Sequence, residues 1–186
     1  KGISAKRTDK LALSSPLCQG EYLFYRGKSN LMHFVDGSVL SEHLQLRTKM
    51  QHIQAAAHLV QIILTSQLPH KPAPKVYQFF YKCLRAIPHF EDTAVLTNSF
   101  CIKLLKQEGL LVLQPFCSQC KKEAIALHHG EVFCRLHAPK FSFMFSQEQW
   151  STLLVLAYAT TFSQLQNLIS SEDLNEKINQ IFQENT

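Results

Sequence analysis

Apolar positions recur along this chain with two different periods. Over residues 21–25 and 30–35 they alternate. Tyr22 and Phe24 share one face of a first strand, and Leu31, His33 and Val35, or Met32 and Phe34, share the faces of a second. Arg26-Gly27-Lys28-Ser29 reads as the turn between them. Asp36-Gly37 predicts the end of the second strand, with residues 38–40 opening a third. Ahead of these, residues 1–16 are basic and serine-rich and read as an exposed loop. Two or three strands do not readily stand alone, so this β front reads as incomplete.

From Arg47 the period lengthens to that of a helix. Met50, Ile53, Ala57, Val60 and Leu64 fall at steps of three and four, predicting an amphipathic helix that ends before Pro69. Pro69, Pro72 and Pro74 form a stiff linker that opens the next helix, whose stripe is Val76, Phe80, Cys83 and Ile87 and whose stop is Pro88. Asp92 predicts the cap of a third helix, and Gly109 the residue past its C-terminus. Leu96, Phe100, Ile102, Leu104 and Leu105 make that helix apolar on most sides, so it belongs at the centre of the core. Ser146 and Gln149 form a capping-box pattern ahead of a helix buried through Trp150, Leu153, Leu154 and Ala157. A last helix follows Ser171, with Leu174, Ile178 and Ile181 inward.

Between the third and fourth helices lies the stretch with the clearest chemistry. Cys117 and Cys120 form one x₂-spaced pair, Cys134 and His137 another, with thirteen residues between them. Residues 124–127 and 131–133 read as the arms of a short hairpin with His128-His129-Gly130 at its tip. Folding it brings the pairs together as a three-cysteine, one-histidine shell, the usual closed site of structural zinc. A reduced, metal-free knuckle and a disulfide are the alternatives, and the spacing favours zinc. His128 and His129 could compete for the ion, although a turn tip points away from the base of the hairpin. Glu123 and Glu131 have no motif that would make either the base of a catalytic metal.

Composition narrows the class. An apolar share of 46% is ordinary for a globular protein. No apolar run approaches a membrane span and the start has no signal-peptide pattern, so a reducing cytoplasm is expected, with Cys18, Cys83 and Cys101 as free thiols. The chain starts at Lys1 without a methionine and reads as a fragment or a processed product. Its net charge of +5 is uneven: residues 1–28 carry a net +4 and residues 141–186 a net −4. Lys1, Lys6, Arg7, Lys10, Arg26 and Lys28 thus make the β front the expected face for a polyanion such as DNA. No glycine-rich phosphate loop, nucleophile elbow or helical H-E-x-x-H is present, and no enzyme is expected. His52 and His58, six apart on the first helix, face different ways and read as exposed or core-edge residues. Phe141, Phe143 and Phe145 alternate like a strand that packs the knuckle onto the helices.

Three stretches carry a family likeness: Lys1-Gly2-Ile3 with Lys6-Arg7, the helix end Ser99-Phe100-Cys101-Ile102-Lys103-Leu104-Leu105-Lys106-Gln107-Glu108-Gly109-Leu110, and the knuckle entry Gln114-Pro115-Phe116-Cys117-Ser118-Gln119-Cys120. In this order they resemble the RecO family. The resemblance implies an α+β chain. Residues 1–44 would be the C-terminal part of an OB-fold, and residues 45–186 a mainly helical domain with a zinc-ribbon-like hairpin at 115–139. It implies a non-catalytic recombination mediator that binds single- and double-stranded DNA, anneals complementary strands and works with RecR. Such a protein helps RecA replace single-strand-binding protein, whose acidic, apolar-ended tail would dock near Lys75, Lys82, Arg85, Lys103 or Lys106. The other reading is a zinc-ribbon interaction module in transcription or translation.

Overall fold

The computed structural model describes residues 12–28 and 31–185. The chain divides into two compact units, Lys1–Met50 and Gln51–Thr186.

The first unit is built on an antiparallel pair, β1 (Gln19–Arg26) and β2 (Met32–Ser41). Here the structure departs from the expected third strand. Asp36 and Gly37 do not end β2; they pair with Leu23 and Tyr22, and residues 38–40 continue the same strand. Gly37 serves close approach rather than a turn, because a Cβ there would lie 2.6 Å from the carbonyl oxygen of Glu21. A bulge after Leu23 brings Phe34, not Val35, opposite Phe24. Tyr22, Phe24 and Phe34 consequently cluster on one face, with ring centroids 5.8–6.4 Å apart. Tyr25 stacks on His33 at 4.9 Å.

The second unit holds five helices: α1 (Met50–Ser66), α2 (Pro74–Ala86), α3 (Thr93–Gln107), α4 (Gln147–Tyr158) and α5 (Glu172–Asn185). The expected central helix is α3, which packs against α2, α4 and α5. Phe100 is fully buried, stacked on Phe79 at 5.0 Å and edge-on to Phe80 at 6.3 Å. Both ends of α3 are fixed. Asp92 accepts from the Ala94 N–H at its N-terminus, and at the other end Gly109 takes φ +76°. There the Gly109 N–H reaches Lys106 O and the Leu110 N–H reaches Leu105 O, a Schellman closure.

The polar side chains of α3 have structural work. Ser99 donates to Leu156 O at 2.8 Å, Lys103 to Ala159 O at 2.6 Å and Lys106 to Ala157 O at 3.4 Å. These are the carbonyls that α4 leaves without helical partners at its C-terminus. Asn98 donates to Ser170 and Asn175, and the second carboxylate oxygen of Asp92 accepts from the Ser170 N–H. The capping box of α4 forms as its sequence predicts, but Leu156 is buried where Leu154 was expected and Leu154 is half-buried.

In α1 the predicted stripe is the wrong face. His52, Ala55, Ala56, Leu59 and Ile62 are buried, whereas Met50 and Leu64 are 70% and 71% exposed. The helix is apolar on two faces, so periodicity alone does not select one, and the small side chains of Ala55 and Ala56 allow the closer approach. His52 lies inside rather than at an edge, and neither ring nitrogen has a hydrogen-bond partner. Burial lowers the pKa of His58.

Asp92 joins the start of α3 to the segment before α5, so Asp92→Ala removes a cap and a long-range hydrogen bond together. We expect a loss of about 2 kcal/mol and a melting temperature lower by roughly 4–8 °C. Asp92→Asn, which keeps one acceptor, should cost less. Thermal unfolding followed by circular dichroism checks this; an unchanged midpoint for Asp92→Ala would refute it.

Candidate metal centre

The segment after α3 turns back on itself because its sequence supplies two left-handed positions in a row. β3 (Ala126–His128) and β4 (Glu131–Phe133) pair with His128 opposite Glu131, leaving His129 and Gly130 as a two-residue turn. Their φ angles, +46° and +77°, are those of a type I′ turn, whose twist suits a tight hairpin. The strand arm therefore includes His128, and the tip is one residue shorter than expected. Only glycine fits at 130, because a Cβ there would lie 2.2 Å from the carbonyl oxygen of Leu110. The Gly130 carbonyl accepts from the Val112 N–H at 2.8 Å, holding the tip to the chain leaving α3.

A third strand, β5 (Phe143–Met144), pairs with β3. Phe145 follows it, buried and 5.5 Å from the ring of Trp150 on α4, which anchors the hairpin to the helices as the alternating phenylalanines predicted. Phe141 differs: it is 96% exposed, at a left-handed turn with φ +66°.

At the base of the hairpin, two turns face each other. In the first, Lys121 takes φ +62°, its N–H donating to Cys117 O, while the Cys117 N–H donates to Lys122 O at 2.7 Å. In the second, the N–H groups of His137 and Ala138 both donate to Cys134 O. Ser118 binds Val132 O through its N–H and its hydroxyl, both at 3.0 Å, which locks the first turn onto β4. The ligand atoms of Cys117, Cys120, Cys134 and His137 all lie within 4.8 Å of one another. Cys120 and Cys134 sulfurs are 3.6 Å apart, and His137 Nδ1 is 3.5 Å from Cys134 and 3.7 Å from Cys117.

These separations fit one ion. Zinc bonds of about 2.3 Å to sulfur and 2.0 Å to nitrogen place tetrahedral ligand atoms roughly 3.5–3.8 Å apart. The three cysteines are free thiols, and 3.6 Å is far beyond the roughly 2.05 Å of a disulfide. The four residues singled out by spacing can hold a metal ion. His128, His129, Glu123 and Glu131 are not in the group.

The site is also prepared electrically. Burial alone would push the Cys117 thiol up, but the N–H groups of Cys134, Cys120 and Gln119, with the His137 ring, bring it down to about 5. At Cys120 the Lys122 N–H acts downward, yet burial and the neighbouring Cys134 and Cys117 leave the thiol raised. The surroundings thus favour the thiolate at Cys117 and the thiol at Cys120. Elsewhere, burial pushes Cys83 and Cys101 up to about 12.

Of the expected DNA-contacting residues, Lys1, Lys6, Arg7 and Lys10 lie outside the described residues. Arg26 ends β1 and Lys28 sits in the following turn, both exposed. The helix cations divide in a way the sequence did not foretell. Lys103 and Lys106 are engaged with α4, and burial lowers the pKa of both. Lys82 and Arg85 instead line a groove of about 370 Å³ with Tyr81, His89, Phe90 and Phe162. The i, i+3 spacing of Lys82 and Arg85 hinted at one shared face; Phe162, in a short turn between α4 and α5, carried no such signal.

The geometry predicts one zinc per chain. Cys117→Ser should lower the metal content and the melting temperature, because binding energy at a structural site is folding energy. Elemental analysis of chelator-free protein checks the first, and absence of zinc would refute it. Unchanged affinity in His137→Ala would remove His137 as a ligand. Thiol labelling near neutral pH gives a second check. Chelation should free Cys117, Cys120 and Cys134 to react, whereas Cys83 and Cys101 should react only on unfolding.

Comparison with known families covers most of the second unit. The family described as recombination protein O, C terminal, matches residues 47–184. A DNA repair protein RecO from Chlamydia pneumoniae is 29% identical over 153 residues, covering 81% of this chain and 61% of that protein. The protein of the same name from Chlamydia trachomatis serovar L2 is 27% identical over 172 residues, 90% of this chain and 71% of its own length. One from Clostridium perfringens SM101 is 27% identical over 124 residues, 66% of this chain and 55% of the relative. The chain thus spans between about half and seven-tenths of the length of these relatives. No helix among the described residues is long and apolar enough to cross a membrane. With the family match covering the helices and the metal knuckle together, the chain belongs to the RecO family.

Proposed function

We propose that this chain is a non-catalytic, DNA-binding recombination mediator acting in DNA repair in the cytoplasm. The observation that carries the reading is the family match across helices and knuckle, joined to relatives named for DNA repair. The zinc is structural, because four protein ligands complete a tetrahedral shell and leave no position for substrate.

The β hairpin is the DNA-contacting part, and residues 1–44 form the C-terminal portion of an OB-fold. Tyr22, Phe24 and Tyr25 are each between 39% and 56% exposed, suited to stacking single-strand bases. Lys1, Lys6, Arg7, Lys10, Arg26 and Lys28 supply contacts to phosphates, on single or double strands. Lys6→Glu with Arg7→Glu should weaken binding to all sequences and reduce the salt slope by about 1 per lost contact. Zinc content and helicity should stay unchanged. Fluorescence anisotropy across a salt series checks this; an unaltered slope would move the site elsewhere, and no salt-sensitive binding would remove the reading.

The helical unit is the docking body for RecR and for the tail of single-strand-binding protein, and through them for RecA loading and strand annealing. The Lys82–Arg85 groove, with Phe90 and Phe162 at its base, suits a peptide ending in acidic and apolar residues. Lys82→Glu with Arg85→Glu should abolish binding of that tail peptide at low salt while leaving DNA affinity intact. Calorimetry reads it; equal binding by the double variant would exclude the groove.

A further inference from the structure

We infer that Cys120 and Cys134 form a redox-sensitive pair, which a peroxide joins as a disulfide while the metal leaves. The pair lies within the zinc site assigned above, and the metal half of the exchange rests on that assignment. The two sulfurs are 3.6 Å apart, and the residues are 14 positions apart in the chain. A disulfide of roughly 2.05 Å requires them to close by about 1.5 Å. The backbone presents them to each other without help from an ion. On one side the Lys121 N–H donates to Cys117 O, and on the other the His137 and Ala138 N–H groups donate to Cys134 O.

Access decides which sulfur reacts first. Cys120 is half-buried, whereas Cys117 and Cys134 are 0% and 5% exposed. A small oxidant therefore enters the knuckle at Cys120, and Cys134 is the buried neighbour that resolves the product. Cys117 also lies within 4.8 Å, but it is fully buried with its sulfur against the His137 ring at 3.7 Å. Cys83 and Cys101, at 0% and 2% exposure, are out of reach and outside the cluster.

Hydrogen peroxide balances the reaction. The Cys120 thiolate attacks one peroxide oxygen, the O–O bond breaks, and the departing oxygen takes a proton and leaves as water. The Cys134 thiolate then attacks the sulfur of the Cys120 sulfenic acid. The S–S bond forms, the S–O bond breaks, and the oxygen leaves as a second water after taking a proton. Two thiolates, one peroxide and two protons thus give one disulfide and two waters, with two electrons passing from the sulfurs to the peroxide. Only Cys117 and His137 remain of the four ligands that close a structural zinc shell, so the ion is released. The new bond ties the same two turns that the metal clips, and the base of the hairpin stays closed.

Graded hydrogen peroxide added to the zinc-loaded chain tests this. A chromogenic chelator reads the released zinc, and peptide mapping without reductant locates the disulfide. One zinc should appear per disulfide, the joined peptides should hold Cys120 and Cys134, and a dithiol with added zinc should reverse both changes. Cys120→His, which keeps a metal ligand without an oxidisable sulfur, should release zinc about tenfold more slowly or less. If that variant binds no metal, the peptide map of the parent chain decides alone. Cys18→Ser, in the first unit, should change nothing. A link through Cys117 instead, zinc lost with every thiol still reduced, or zinc retained under peroxide would each overturn the inference. A reduced chain that binds no zinc yet forms the Cys120–Cys134 bond would overturn the metal assignment and uphold the pair.

Discussion

Everything between α3 and α4 depends on four side chains meeting at one point. The hairpin there has strands of three, three and two residues, too short to hold themselves together by ladder hydrogen bonds. Two turns that bring Cys117, Cys120, Cys134 and His137 within 4.8 Å replace a core that a segment of this size cannot build. The N–H groups aimed at Cys117 sulfur favour its thiolate, the form in which cysteine binds a metal ion.

The knuckle is joined to the helical body at two places of different character. At the tip the joint is steric and polar, with Gly130 pressed against the Leu110 backbone and hydrogen-bonded to Val112. At the base it is apolar, with Phe145 against Trp150. Both joints lead back to α3. Gly109 sends the chain toward the hairpin, while Ser99, Lys103 and Lys106 hold the carbonyl end of the helix that carries Trp150. This explains why a buried helix carries two lysines: each aliphatic stem lies in the core and each ammonium binds carbonyls that would otherwise lack partners.

Much of this was legible from residue order, and the failures share a cause. Local chemistry read well. Asp92, Gly109, the Ser146–Gln149 box and the ligand spacing each specify a backbone event within a few residues. Readings that needed knowledge of the neighbouring element failed. Gly37 resembled a turn and is a close cross-strand contact, and α1 offered two apolar faces of which the wrong one was taken for the core. Lys103 and Lys106 read as surface cations because nothing near them in the chain announces the end of α4. The groove shared by α2 and Phe162 was invisible for the same reason, since its walls lie some eighty residues apart.

The two units carry different burdens in this account. In the function proposed above, the exposed aromatic and cationic hairpin is the part that meets nucleic acid, and the helical unit with its knuckle is the part that meets proteins. The claim beneath both is that the metal holds the insertion and does no chemistry. Amide hydrogen exchange of the chain with and without zinc tests it most directly. The account predicts that chelation removes protection from the amides of Cys117, Ser118, Ile125 and Phe145 while those of α3 keep theirs. Equal protection of the hairpin in both states would contradict it.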